Sequence, residues 1–118
     1  MKKNDAASCN ENFNADAQKI FAAKTTIINL KHVINNDKVV ITWNVLPVVN
    51  TFFFEVYHSN DGVHFKLLGT VRFLNEAVEY AFSDIQPAIG INYYKIKSVD
   101  TDGTNSFSKI LQVNLNDK

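Results

Sequence analysis

The side chains that could carry chemistry in this sequence are few and lie far apart. One cysteine, Cys9, stands near the N-terminus, and the histidines are His32, His58 and His64. A cysteine becomes a nucleophile beside a base or a positive charge, and no fixed base is predicted near Cys9. His58 and His64 flank one predicted hairpin, but zinc needs a third ligand, for which Asp61 is the candidate. We expect no catalytic cysteine, no metal site and no cofactor, and interpret the hairpin as carrying exposed imidazoles.

Acidic residues do not form a recognisable catalytic set either. Asp100 and Asp102, in the segment DTDG, have the spacing that opens some calcium loops, but no acidic residue follows to complete one. A tight turn explains this segment better. Glu76, Glu79 and Asp84 lie on or near one predicted strand with no second acidic cluster facing them. We expect that the protein is not an enzyme.

Composition predicts one globular domain without disulfides. The chain has 118 residues, of which 46% are hydrophobic and 20% charged, enough for a single packed core. One cysteine excludes an internal disulfide. Twelve basic and twelve acidic side chains cancel and no Lys/Arg run is present, so a nucleic-acid partner is not expected.

Residues 1–24 are predicted to form a flexible tail and a short helix. Within FNADAQKIFAAK, apolar residues recur at helical spacing from Phe13 to Phe21, and such a helix must pack on the domain or dock on a partner. No apolar run follows the first lysines, so neither a secretory leader nor a membrane span is predicted. The residues AASC resemble the end of a bacterial lipobox, which makes Cys9 a candidate for lipid attachment; an ordinary tail cysteine is the alternative.

From Thr25 onward the hydrophobic pattern has a period of two, which predicts a β-sandwich over residues 25–118. Turn residues divide this region into seven strands, and no helical pattern interrupts them, so the sheets are expected to be antiparallel. Val39, Ile41 and Trp43 are predicted to face the core. The seven strands are predicted at 26–33, 38–45, 52–59, 64–72, 77–84, 92–100 and 107–115.

Four segments together resemble a fibronectin type III domain, of the variety found in secreted and cell-surface proteins of Bacteroidetes. They are V-x-I-x-W ending at Trp43, FEVYHSNDGVHFKLLGTV, YAFSDIQP and GINYYKIKSVDTDG, and the match covers residues 26–115. The resemblance implies a seven-strand immunoglobulin-like sandwich, with strands A, B and E in one sheet, strands C, C′, F and G in the other, and Trp43 in the core. It also implies an adhesion or spacer module outside the cytoplasm, at the cell surface or secreted.

Alternation within strands C and F predicts the candidate binding surface. If Phe52, Phe54 and Val56 face the core, the residues between them face outward. The same argument applies to the strand that contains Tyr94 and Ile96. In the resembled fold these strands are neighbours. The outward residues, which we call the outer-face residues, are Phe53, Glu55, Tyr57, Tyr93, Lys95 and Lys97.

Aromatic rings with a few charged groups on a flat sheet suit contact with a protein, or stacking against sugar rings. The alternative is that these aromatic residues only shield the sheet, and that Glu55 beside a lysine is an ordinary cross-strand pair. We therefore expect a non-catalytic protein-interaction or scaffold module. A carbohydrate-binding accessory module and a lipid-anchored subunit of an envelope complex are the other hypotheses.

Overall fold

The computed structural model describes residues 25–46, 51–74, 77 and 79–116. Cys9 and the helix predicted before Thr25 lie outside these residues. The described part consists of strands and their connections, and it contains no helix of the length and hydropathy that crossing a membrane requires.

The described residues form eight strands, mostly where apolar residues alternate. They are β1 (Ile27–Asn35), β2 (Lys38–Val45), β3 (Thr51–Ser59), β4 (Lys66–Arg72), β5 (Glu79–Asp84), β6 (Gly90–Asp100), β7 (Asn105–Phe107) and β8 (Leu111–Leu115).

The strands pair into two antiparallel sheets. The first has the order β1-β2-β5, and the second has the order β4-β3-β6-β7, with β8 also pairing with β6. This confirms the all-β fold of two antiparallel sheets, with the division into A, B, E and C, C′, F, G. The predicted number of seven strands is wrong, because the last one is divided at Ser108. There the Ser108 side chain accepts the Ile96 backbone N–H at 2.9 Å, so the polar groups remain paired across the break.

The core lies between the sheets and is built from alternate residues of the central strands. Trp43 is fully buried, with its ring centroid 5.5 Å from that of Phe54 and 6.0 Å from that of Tyr80. Burying side chains of this size stabilises a fold by about 1.5–3 kcal/mol each. The buried hydrophobic residues are Val39, Ile41, Trp43, Phe54, Val56, Tyr80, Tyr94, Ile96, Val113 and Leu115.

A β-bulge at the start of β3 corrects one prediction. Thr51 pairs with Asp100 and Phe53 pairs with Val99, so Phe52 is an extra residue on β3. A bulge shifts the alternation by one residue. Thr51 consequently faces the core in place of Phe52, which is 59% exposed and packs edge-on against Phe53 with centroids 5.1 Å apart. The prediction that Phe52 is buried is therefore wrong, whereas Phe54 and Val56 are buried as expected.

The beginning of the described domain is held by a buried polar cluster. The Thr25 hydroxyl donates to the Asp100 carboxylate at 3.0 Å and shares a hydrogen bond with the Thr51 hydroxyl. Ser106 donates to the Thr25 carbonyl at 2.9 Å. These bonds tie Thr25, two residues before β1, to three strands of the other sheet, and the buried polar groups satisfy one another's hydrogen bonds.

Candidate functional site

Two neighbouring strands position the outer-face residues. In the β3–β6 pairing, Glu55 lies opposite Lys97 and Tyr57 opposite Lys95. The alternate residues of both strands, among them Phe54 and Ile96, are buried, so these pairs project away from the core.

The outer-face residues do not form one compact patch. Phe53 lies opposite Val99, whereas Tyr93 lies opposite Ser59. At about 3.4 Å per residue, these two positions are roughly 20 Å apart along β3. Phe53 and Tyr93 therefore mark opposite ends of the face, and the charged groups lie between them.

Glu55 is the polar centre of the face. Its Oε1 accepts a hydrogen bond from the Tyr57 hydroxyl at 2.8 Å and lies 3.5 Å from Nζ of Lys97. The hydrogen bond to Glu55, followed by burial and the charge of Glu55, raises the pKa of Tyr57. The negative charge of Glu55 is thus already compensated within the protein.

Lys95 contacts two aromatic rings that the sequence analysis did not single out. Its Nζ is 4.3 Å from the ring centroid of Phe65 and 4.4 Å from that of Phe107. Phe107 also lies 6.2 Å from Tyr57, and the register places it opposite Lys97. A cation over ring faces is favourable, and the two contacts restrict the rotamers of a long side chain. The sequence did not assign Phe107 to this face, because the strand predicted at 107–115 is interrupted after Phe107 in the structure.

The loop between β3 and β4 packs over the Tyr93 end of the face. Gly62 has a φ of +80°, and a Cβ there would lie 3.3 Å from the Tyr93 ring. The Ser59 hydroxyl accepts the Gly62 N–H at 2.9 Å, and the Asp61 carboxylate accepts the backbone N–H of His64 and contacts its Nδ1, both at 2.8 Å. The DG pair thus supplies the positive φ that the sequence predicted, within a longer loop than a tight hairpin.

The histidines of the predicted hairpin have separate partners. His58 Nε2 lies 2.7 Å from the side-chain oxygen of buried Asn92, whereas His64 contacts Asp61. Within the described residues, no three His, Cys, Asp or Glu side chains converge as metal ligands. His32 lies exposed on β1.

Two acidic segments have structural partners in the described fold. The DTDG segment forms the turn between β6 and β7, in which the Gly103 N–H donates to the Asp100 carbonyl at 2.9 Å. The interpretation of this segment as a turn is confirmed. Asp84 is buried and accepts a hydrogen bond from the Tyr94 hydroxyl at 2.6 Å.

Three of the surface cavities bordered by described residues have volumes of 380–400 Å³, and one ionisable side chain lines each of the three. Asp37 borders the cavity at the end of β8. Lys109 borders the groove between β1 and β8, and Asp84 borders the cavity between β4 and β5. A general acid and a general base do not face each other in any of these three.

Comparison with known proteins identifies the fold. No family model and no curated protein matches the sequence. Pectate lyase Pel3 from Pectobacterium carotovorum matches in structure with a TM-score of 0.61 and 13% identity, over 77% of this chain and 27% of that protein. A β-1,2-glucanase from Parabacteroides distasonis matches with a TM-score of 0.62 and 18% identity, over 81% of this chain and 13% of the enzyme.

A third solved structure is itself a single domain. The sixth fibronectin type III domain of human fibronectin type III domain containing protein 3 matches with a TM-score of 0.57 and 11% identity, over 75% of this chain and 82% of that one. At such identities the likeness shows the fold alone. The fold is therefore a β-sandwich of the fibronectin type III kind, and the chain spans only a small part of the two enzymes.

Proposed function

We propose that this protein is a non-catalytic interaction module that binds a protein partner through the outer face of its five-stranded sheet. The observation that carries the proposal is the fixed cluster around Lys95, in which an ammonium group lies 4.3 and 4.4 Å from two ring centroids beside the Glu55–Lys97 pair. A preorganised aromatic and charged surface loses little conformational entropy on binding. Aromatic residues are also enriched in the centres of protein interfaces.

The exposed aromatic rings extend this surface beyond the predicted residues. Phe107 is 52% exposed, and the bulge turns Phe52 outward beside Phe53. Bulges commonly re-aim a side chain near a functional site. The face thus offers apolar contact at Phe52 and Phe53, and mixed aromatic and charged contact near Lys95.

Affinity capture from the source organism tests this function. The bait is the full chain, compared with its Phe53→Ser/Tyr57→Ser variant. The matched control is Ala81→Ser/Ser83→Thr, which changes two exposed residues on β5 of the other sheet. We expect partners recovered by the wild type and the control to be lost from the outer-face variant. Equal recovery by all three baits would show that the aromatic residues only shield the sheet.

Carbohydrate binding is the second candidate, and the exposed ring of Phe107 is the observation that favours it. Lys95 already occupies one face of the Phe65 and Phe107 rings, which leaves less flat ring surface for a sugar. For this reason a protein partner is the better supported proposal. Retention of the wild type, but not of Phe107→Ser, on a glycan affinity gel would favour the carbohydrate hypothesis instead.

We also propose an extracytoplasmic location at the bacterial cell surface or in a secreted protein of the Bacteroidetes type, which the four resembling segments support. Lipid attachment at Cys9 would make the module a subunit of an envelope complex. Metabolic labelling with an alkyne fatty acid tests this attachment, and Cys9→Ser should abolish the label. An unlabelled wild-type protein in its own host would contradict it.

A further inference from the structure

The outer face of the five-stranded sheet carries more positive than negative charge, and this excess indicates the chemistry of a partner. We infer that the outer face recognises an acidic, extended peptide segment in which a carboxylate meets Lys95 and an apolar side chain meets Phe53. This inference rests on the proposed interaction function and adds the chemistry of the partner to it.

The charge balance of the face is the first argument. Cross-strand pairing places Arg72 beside Phe53, so the strands of this face carry three basic side chains, Arg72, Lys95 and Lys97, and one acidic side chain, Glu55. The loop over the Tyr93 end adds Asp61, which contacts His64. Glu55 already interacts with Lys97 and with the Tyr57 hydroxyl. Among the described residues, none forms an ion pair with Lys95, whose ammonium contacts the ring faces of Phe65 and Phe107. A carboxylate is the group that complements this site.

The environment of Lys95 is the second argument. Its ammonium contacts the rings of both Phe65 and Phe107, and Phe107 is 52% exposed. Because the lysine is already restrained, an incoming carboxylate would order little additional side chain. The neighbouring rings would partly exclude water and strengthen the ionic contact.

The spacing along the sheet is the third argument. Lys95 lies opposite Tyr57, and Phe53 precedes Tyr57 by four residues on the same face. Four residues of a strand span about 13 Å, and side chains four apart on an extended peptide point to the same side. An apolar residue and an Asp or Glu at positions i and i+4 of an extended segment therefore match the two contacts. A helix places such residues only about 6 Å apart, which is too short.

A library of linear 12-residue peptides displayed on phage tests the inference, with the full chain as bait. We expect enriched peptides to carry Asp or Glu four residues from an aromatic or large aliphatic residue, in either direction along the peptide. Lys95→Gln should reduce their recovery at least tenfold, and Lys95→Arg, which keeps the charge, should restore it. Ser83→Thr on the other sheet is the matched control, and thermal unfolding verifies that each bait is folded.

The outcomes separate the inference from the proposed function. Enriched peptides without acidic residues, or recovery that survives Lys95→Gln, would overturn the acidic partner. If such peptides are still lost with Phe53→Ser/Tyr57→Ser, the face binds but has no acidic preference, and the interaction function stands. For one enriched peptide, replacing Glu by Gln should weaken binding at least fivefold, and raising NaCl from 50 to 300 mM should weaken it further. Absence of any enrichment over the Phe53→Ser/Tyr57→Ser bait would contradict the inference.

Discussion

Tyr94 and Asp84 form a buried hydrogen bond that links strands of different sheets. The Tyr94 hydroxyl donates to the Asp84 carboxylate at 2.6 Å, and both residues are almost completely buried. Burial, together with the hydrogen bond and the charge of Asp84, raises the pKa of Tyr94 far above its usual value. This bond closes the corner between β5 and β6, at which the chain crosses from one sheet to the other.

Tyr94→Phe should lower the free energy of unfolding by about 1–3 kcal/mol, because the Asp84 carboxylate then lacks one of its buried donors. Urea unfolding at pH 7 measures this change. A Tyr93→Phe variant, altered on the adjacent outward residue, is the matched control and should change stability much less. Equal losses in the two variants would contradict a special role for the buried bond.

The raised pKa of Tyr94 also predicts a dependence on pH. Because the folded state binds this proton more tightly, its contribution is complete below about pH 10, the unfolded value, and is lost as the pH rises above it. Wild-type stability should therefore fall between pH 9 and pH 11, and Tyr94→Phe should fall less steeply. Parallel pH profiles would show that Tyr94 ionises normally.

At the scale of elements, the loop between β3 and β4 is organised by one carboxylate. Hydrogen bonds from the side chain and backbone of His64, from the Val63 N–H and from the Ser59 hydroxyl lower the pKa of Asp61 well below its usual range. A lowered pKa stabilises the loop above the unfolded value of about 3.9, and this contribution is lost as the pH falls below it.

Amide hydrogen exchange checks this dependence of the loop on Asp61. Protection of the Val63 and His64 amides should be lower at pH 2.5 than at pH 5, whereas Asp61→Ala should show low protection at both values. Protection of core amides such as that of Ile41 provides the reference for global unfolding. Protection of the loop that does not change with pH would contradict the role of Asp61.

Gly62 supports the Tyr93 end of the face, and a second glycine provides a control for its substitution. Gly62→Ala should cost about 1–2 kcal/mol for the positive φ and should also displace the Tyr93 ring, which a Cβ would meet at 3.3 Å. Gly103 has a φ of +89°, and a Cβ there would meet no neighbouring atom within 4 Å, so Gly103→Ala should carry only the backbone cost. Tyr93 ring resonances in NMR spectra should shift in the first variant only. A shift in both would assign the effect to general strain.

The fold was predictable from the alternation of apolar and polar residues along the strands. The bulge in β3 and the interruption between β7 and β8 were not predictable in this way. Val39, Ile41 and Trp43 alternate without interruption, and the sequence places them correctly in the core. Phe52 was misplaced because three consecutive phenylalanines give no sign of where the extra residue of a bulge lies. The same limit applies to Phe65 and Phe107, which reach Lys95 through a loop and an interrupted strand. The outward orientation of the outer-face residues on β3 and β6 was predicted correctly, whereas their neighbours on the adjoining loop and strands, Phe65, Arg72 and Phe107, were missed.

The whole molecule is asymmetric in what its two sheets present to solvent. Thr42 and Asn44 face outward on β2, and their partners on β1 and β5 lie on the same face. Among the described residues, this outer face of the β1-β2-β5 sheet carries aliphatic, polar and charged side chains and no aromatic ring. The five-stranded sheet carries its aromatic residues together with Lys95 and Lys97. An antiparallel sheet can present polar side chains on its solvated face, as the three-stranded sheet does here, so a β-sandwich does not require aromatic residues on that face.

Site-specific photo-crosslinking in the source organism tests the central claim most directly, that the aromatic sheet face is where a partner binds. A photoreactive benzoylphenylalanine would replace Tyr57 on the outer face of the five-stranded sheet or, in the comparison protein, exposed Ala81 on the three-stranded sheet. We expect a discrete crosslinked protein from position 57, reduced when Lys95→Gln is added, and none from position 81. Crosslinks of equal yield from both positions, or from position 81 alone, would contradict the account.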